Sequence, residues 1–188
     1  LQICQALLAS CLLLIFVIPL ATKADTNYGT STYGTCSYGV ACATTTLTIT
    51  SSASLSMNVN LPSSNCATAT ATATDTITVS TNNSLGYKLY LYSQDASSYL
   101  TGPSNISPTS GTFGIPIALT SNTWGYQISS FSGNYAKVSA TNPGDNIVNR
   151  TSAYPSGDQT SVVYGVCANT SLPSGSYSDT IIYTAATN

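Results

Sequence analysis

The sequence predicts an all-β protein: an antiparallel, immunoglobulin-like β-sandwich preceded by an N-terminal hydrophobic helix. Three observations carry that expectation. β-branched and aromatic residues alternate with hydroxyls and amides at period two, the pattern of strands with one buried face. Clusters of Gly, Pro, Asn and Ser interrupt the alternation often enough to separate about eight short strands. No stretch after Pro19 sustains a helical period.

The elements follow in chain order. Leu1 to Leu20 carries no charge and is dominated by Leu, Ile, Ala and Val. At about 1.5 Å of rise per residue, a helix of that length just crosses a bilayer core. Pro19 ends the run, and the small residues Thr22 and Ala24 fit a signal-peptidase site with a mature start at Asp25. Two readings stand for residues 1–24: a signal peptide removed on export, or a pilin-like helix retained after a basic leader is cut before Leu1. Either way, residues 1–20 meet a membrane before or during assembly. A lipoprotein anchor at Cys11 is the weaker reading, because most of the apolar run follows that cysteine.

Residues 25–43 read as a Tyr/Gly-rich arm, with Tyr-Gly repeated between Asn27 and Val40. Residues 44–188 read as the sandwich domain. Thr44 to Thr50 is β-branched, and Leu55, Met57, Val59 and Leu61 alternate with polar residues. Ala67 to Ser80 places Ala67, Ala69, Ala71, Ala73, Ile77 and Val79 on one face and Thr or Ser on the other. Asn82 to Gly86 turns the chain into Tyr87–Ser93, where Tyr87, Leu89 and Leu91 oppose Lys88, Tyr90 and Tyr92. Gln94 to Gly114 reads as long loops, and Ile115 to Leu119 as a short edge strand broken by Pro116. Trp124, Tyr126 and Ile128 alternate in a further strand, Tyr135 to Val138 makes a shorter one, and Asn142 to Gly157 reads as loop. Ser161–Cys167 and Ser176–Thr184 are strong strands, expected to pair as a closing antiparallel hairpin through the Pro173/Gly175 turn.

Composition narrows function. Charged residues are 5% of the chain, against about 25% in ordinary globular proteins. Four basic residues make no cationic footprint, which excludes nucleic acid as a partner. There is no His and no Glu, so there is no Ser-His or Cys-His pair and no untuned near-neutral base. No Cys-x-x-Cys and no local carboxylate cluster occurs, and no metal or cofactor is expected. The chain reads as non-catalytic, with a hydrolase built on a spatial Asp pair as the remote alternative.

Six cysteines occur, two in the hydrophobic run and four, Cys36, Cys42, Cys66 and Cys167, in the exported part. Two disulfides are expected among these four, with Cys36–Cys42 and Cys66–Cys167 the favoured pairing of three. Candidate glycosylation sites are the sequons at Asn82, Asn105, Asn149 and Asn169, although a chain this rich in Asn, Ser and Thr supplies such triplets by chance. Trp124 and Tyr126, with Tyr90 and Tyr92, are the candidate aromatic contact surface for sugars. Core packing and cross-strand pairing are the more frequent uses of such residues. Lys88 or Lys137 is a remote candidate for an isopeptide bond.

The chain resembles secreted, Tyr/Thr-rich, immunoglobulin-like β-sandwich surface proteins of candidate-phylum bacteria of the Saccharibacteria type. The resemblance rests on Tyr33-Gly34-Thr35-Cys36, on Val79-Ser80-Thr81-Asn82-Asn83 leading to Gly86-Tyr87, and on Asn122-Thr123-Trp124-Gly125-Tyr126. The ending Tyr164-Gly165-Val166, Leu172-Pro173-Ser174-Gly175-Ser176-Tyr177 and Tyr183-Thr184-Ala185 extends it. It implies a surface-exposed module and brings no catalytic residues.

The expected function is therefore an extracellular structural protein of the cell surface. It would be the subunit of a filament or pilus, joined to copies of itself through the N-terminal segment or by strand addition. The alternative is a surface-displayed adhesin that binds glycans or other cells.

Overall fold

The computed structural model describes residues 8–17, 44–52, 54–60 and 70–188, with the backbone alone at 8–17, 59, 60 and 70. The expected arm at 25–43, Cys36, Cys42, Cys66 and the start of the alanine-rich strand lie outside the described residues. Among the described residues there is no α-helix, and eleven strands form one mixed sheet. They are β1 (Leu8–Val17), β2 (Leu47–Thr50), β3 (Ser54–Asn60), β4 (Thr70–Thr81), β5 (Tyr87–Ser93), β6 (Leu100–Thr101), β7 (Asn105–Pro108), β8 (Thr123–Gln127), β9 (Asp145–Arg150), β10 (Tyr154–Cys167) and β11 (Ser176–Thr187).

The order is β2-β4-β10-β8-β7-β6-β11-β1-β3, with β5 beside β11 and β9 beside β5. Most pairs are antiparallel, but β1–β11 and β7–β8 are parallel, so the expectation of a purely antiparallel sheet is corrected to a mixed one. The short β6 and β7 connect two larger halves, and buried side chains of both halves share one core. Tyr hydroxyls reach from one half to the other: Tyr164 on β10 meets Tyr183 on β11 at 2.6 Å, and Tyr87 on β5 donates to Asp158 on β10 at 2.6 Å. The sheet therefore folds over on itself, and its two inner faces meet.

The alternation explains the core. On β5, Tyr87, Leu89 and Leu91 are fully buried while Lys88, Tyr90 and Tyr92 are half-buried, because successive side chains leave a strand on opposite sides. On β4 the inner row is Ala71, Ala73, Asp75, Ile77 and Val79, and the outer row holds Thr72, Thr74 and Thr76. Each fully buried Ile, Leu or Val contributes roughly 1.5–3 kcal/mol by leaving water. The turn from β4 to β5 depends on Gly86, whose φ of +82° suits glycine and whose Cβ position would run into the Arg150 carbonyl.

Sequence expectation and fold differ in several places: Tyr135–Val138 makes only isolated bridges, and β6 and β7 lie inside the expected loop 94–114. Of residues 1–24, where the sequence predicts a hydrophobic helix, the described backbone covers residues 8–17 as strand β1, and the remainder lies outside the described residues. The last two strands do not pair as a hairpin: β10 pairs with β4 and β8, whereas β11 pairs with β1, β5 and β6. The 168–175 connection carries the chain to the other half, where the Tyr183 hydroxyl meets that of Tyr164 across the core and the two strands share no edge. Ile115–Leu119 is not a strand; it makes only the isolated bridges Thr112–Ile115 and Ile117–Tyr135, and Ile115 is 74% exposed. Inside the expected loop 142–157 lies β9, whose six residues include only one buried side chain, Ile147, too few to signal a strand by alternation.

Candidate functional site

Trp124 and Tyr126 do not form an exposed platform, and that expectation is corrected. Both are fully buried on the inner face of β8. Trp124 Nε1 donates to the Ser98 carbonyl at 2.8 Å, and the Tyr126 hydroxyl donates to Asp145 Oδ2 at 2.8 Å. The two-residue spacing that suggested a platform is equally the spacing of one inward-facing row, and the polar tips found partners inside. Tyr90 and Tyr92 remain half-exposed on the outer face of β5, opposite Thr184 and Ile182 of β11. The structure thus separates the four candidates into a buried pair and a surface pair.

The sequons also separate. Asn105, Asn82 and Asn149 are exposed, and Asn169 is half-buried. Asn82 Nδ2 donates to the Thr44 carbonyl at 2.8 Å and Asn169 Nδ2 to Ser121 Oγ at 2.7 Å, so both amide nitrogens serve turn structure. Asn149 Oδ1 accepts from Asn188 at 3.1 Å near the chain end.

The polar groups that sequence reading passed over are the acids. Asp75 lies on the inner face of β4, fully buried, with Oδ1 accepting from the Ser52 amide at 2.9 Å and Oδ2 without a hydrogen-bond partner among the described residues. Asp179 on β11 is 6% exposed; its Oδ1 accepts from the Thr180 amide at 2.6 Å and lies 2.9 Å from Ser93 Oγ. Burial pushes the Asp179 carboxyl up to about 7, helped by the nearby Asp95 charge and opposed by the Ser93 and Thr180 hydrogen bonds. Ser93 Oγ is also 2.8 Å from Asp95 Oδ1, and one hydroxyl hydrogen cannot serve both carboxylates. Ser93 therefore donates to one carboxylate at a time, and the protonation that burial favours at Asp179 frees it to donate to Asp95. Burial likewise raises the phenols of Tyr164 and Tyr183, which stay neutral and share one hydrogen bond.

Asp158 is handled differently. Arg150 Nε meets Asp158 Oδ2 at 2.7 Å, and the Tyr87 hydroxyl donates to the same oxygen. Burial alone would raise the Asp158 carboxyl, but the hydrogen bonds from Arg150 and Tyr87 and the Arg150 charge bring it below its ordinary value. Arg150 also lies over the Tyr154 ring, 5.8 Å from its centroid, and Tyr154 meets Tyr87 edge-on. The inner end of β9 holds Asp145, raised by burial against the opposing pull of the Tyr126 hydrogen bond and the Lys137 charge.

Compared with protein-family models, curated proteins and solved structures, the chain matches none.

Chemically the arrangement is one of containment. Among the described residues no group of three or more Cys or Asp side chains is placed to hold a metal ion. No helix of the described residues is long and apolar enough to cross a membrane. The hollow beside Lys137 and Asp145 has a volume of about 270 Å³ and is lined by Ser98, Phe113 and Thr141 among others. That hollow holds one carboxyl, Asp145, committed to the Tyr126 hydroxyl, and one lysine, Lys137.

Proposed function

We propose that the protein is an extracellular structural protein folded as an immunoglobulin-like sandwich, the subunit of a cell-surface filament or pilus built from copies of itself. The observation that carries this reading is where the charges go. Of the five described acids, Asp75 and Asp179 are buried, Asp158 is bound to Arg150 and Tyr87, Asp145 accepts from Tyr126, and Asp95 alone is exposed. The outward rows, such as Thr72, Thr74 and Thr76 on β4, are hydroxyls. A sparsely charged, hydroxylated exterior approaches a copy of itself with little ion desolvation to overcome. The likeness to candidate-phylum surface proteins points the same way. Electron microscopy of the purified surface fraction should show filaments containing this chain; only monomer in that fraction would end the filament reading.

The half-exposed pair Tyr90 and Tyr92 favours one second reading, an adhesin that stacks sugars on β5. Under it, Tyr90→Ala with Tyr92→Ala abolishes cell attachment without loss of stability; unchanged attachment discards it.

The same extracellular setting supports disulfides Cys66–Cys167 and Cys36–Cys42. Cys167 is 1% exposed and lies opposite Thr70 of β4, four residues after Cys66 in the chain. A bond there would tie β10 to the chain entering β4. Cys167→Ser should then cost about 2–5 kcal/mol of stability. Peptide mapping without reductant should recover Cys66 joined to Cys167, and recovery of any other partner refutes the pairing.

A further inference from the structure

The seat of β1 has consequences beyond this one molecule. β1 runs parallel to β11, from Ser10 opposite Ser176 to Val17 opposite Tyr183, and antiparallel to β3, from Leu8 opposite Asn60 to Leu14 opposite Ser54. Without it, β11 exposes the backbone of 176–183 along one edge, and β3 loses its one strand partner among the described residues. Exposed ladders of that length are templates for another chain. The seat is also apolar: Tyr177, Ile181 and Tyr183 of β11 and Met57 of β3 are buried. The occupant, Leu-Ala-Ser-Cys-Leu-Leu-Leu-Ile-Phe-Val, is uncharged throughout and cannot be left in water without becoming an aggregation site.

The connection is long enough to reach another molecule. Residues 18–46 separate β1 from β2, 29 residues whose full extension reaches about 95 Å. The backbone ladder is the same whichever copy supplies the strand. Local concentration then decides between them, as in domain swapping. Giving β1 to one neighbour while receiving it from another is a head-to-tail contact, the kind that grows an open filament when its rotation does not close a ring. Building on the surface-filament reading, we infer that β1 is exchanged: residues 8–17 of one copy fill the seat between β11 and β3 of the next.

The test uses full-length chains in a Cys4→Ser, Cys11→Ser background. One batch carries Ser10→Cys and another Ser176→Cys; they are mixed, allowed to assemble and oxidised. Exchange predicts a disulfide between position 10 of one chain and position 176 of another at roughly a quarter of the junctions, the random share in an equimolar mix of head-to-tail partners, identified by peptide mass spectrometry. If either variant misfolds, Leu12→Cys with Ser178→Cys reports the same strand two residues on. Polymer that lacks the inter-chain bond, or whose chains begin at Asp25 by N-terminal sequencing, overturns the exchange and leaves the filament reading standing. The bond in dimers without polymer supports exchange and ends the filament reading. Monomer alone overturns both.

Discussion

Trp124→Ala is expected to remove about 3–5 kcal/mol of stability, a large part of the 5–15 kcal/mol that holds an ordinary domain together. Trp124 is completely buried, and its truncation opens a cavity in the core shared by both halves of the sheet. It also strands the Ser98 carbonyl that now accepts from Nε1 at 2.8 Å. Trp124→Phe fills most of the volume and loses chiefly that hydrogen bond, so its cost should be nearer 1–2 kcal/mol. Urea unfolding of the two variants separates these contributions. A loss below about 1 kcal/mol for the alanine variant would contradict the burial on which the rejection of an aromatic platform rests.

Raising the pH from about 4 to about 7 is expected to cost roughly 4 kcal/mol of stability, an unusual direction for a protein. The sign follows from Asp179. Its carboxyl rises from the ordinary 3.8 to about 7 in the fold, so between those values the native state binds more protons than the unfolded chain. Stability therefore falls as pH rises through that window and is flat above it. Asp145, also raised by burial, adds to the slope. The groups around Asp179 agree: Asp95 supplies a second negative charge through Ser93, and the Tyr164–Tyr183 pair supplies no cation. Asp158 acts oppositely, because its depressed carboxyl loses the Arg150 pairing as pH falls through its folded value. The maximum should lie near or just below about pH 4. Asp179→Asn should flatten the curve between pH 4 and 7 and stabilise the protein at pH 7.5, read by melting temperature. A wild-type melting temperature that climbs steadily from pH 4 to 7 would show that Asp179 is ionised in the fold without penalty.

The acids also mark where reading by alternation stopped short. The inner row of β4 was legible as Ala71, Ala73, Ile77 and Val79, yet position 75 between them is an aspartate, and the same period places it in the core. Periodicity assigns a face to every residue, but composition habit assigns carboxylates to water. The signal was present and its meaning required a partner, the Ser52 amide, 23 residues away in sequence. Asp179 follows the same rule on β11, between the buried Tyr177 and Ile181. By contrast β9 left almost no trace, because an edge strand paired on one side needs only Ile147 buried. The Trp124-Gly125-Tyr126 motif was legible as a strand but not as an inner face, since two aromatics two residues apart face the same side whether that side is wet or dry.

What the residues alone determined is local and repetitive: strand character, the turn at Gly86, the two faces of β5, a charge-poor composition and a chain without His or Glu. Each depends on neighbours within a few positions, where sterics and the two-residue period act directly. Which strands meet belongs to the tertiary structure. Only the folded sheet parts β10 from β11, buries Trp124 behind Ser98, brings Ser93 between two carboxylates, and seats residues 8–17 between β11 and β3. Those outcomes turn on contacts between residues tens of positions apart, and the energies that select them come from burial and hydrogen-bond satisfaction in a shared interior that no single segment contains.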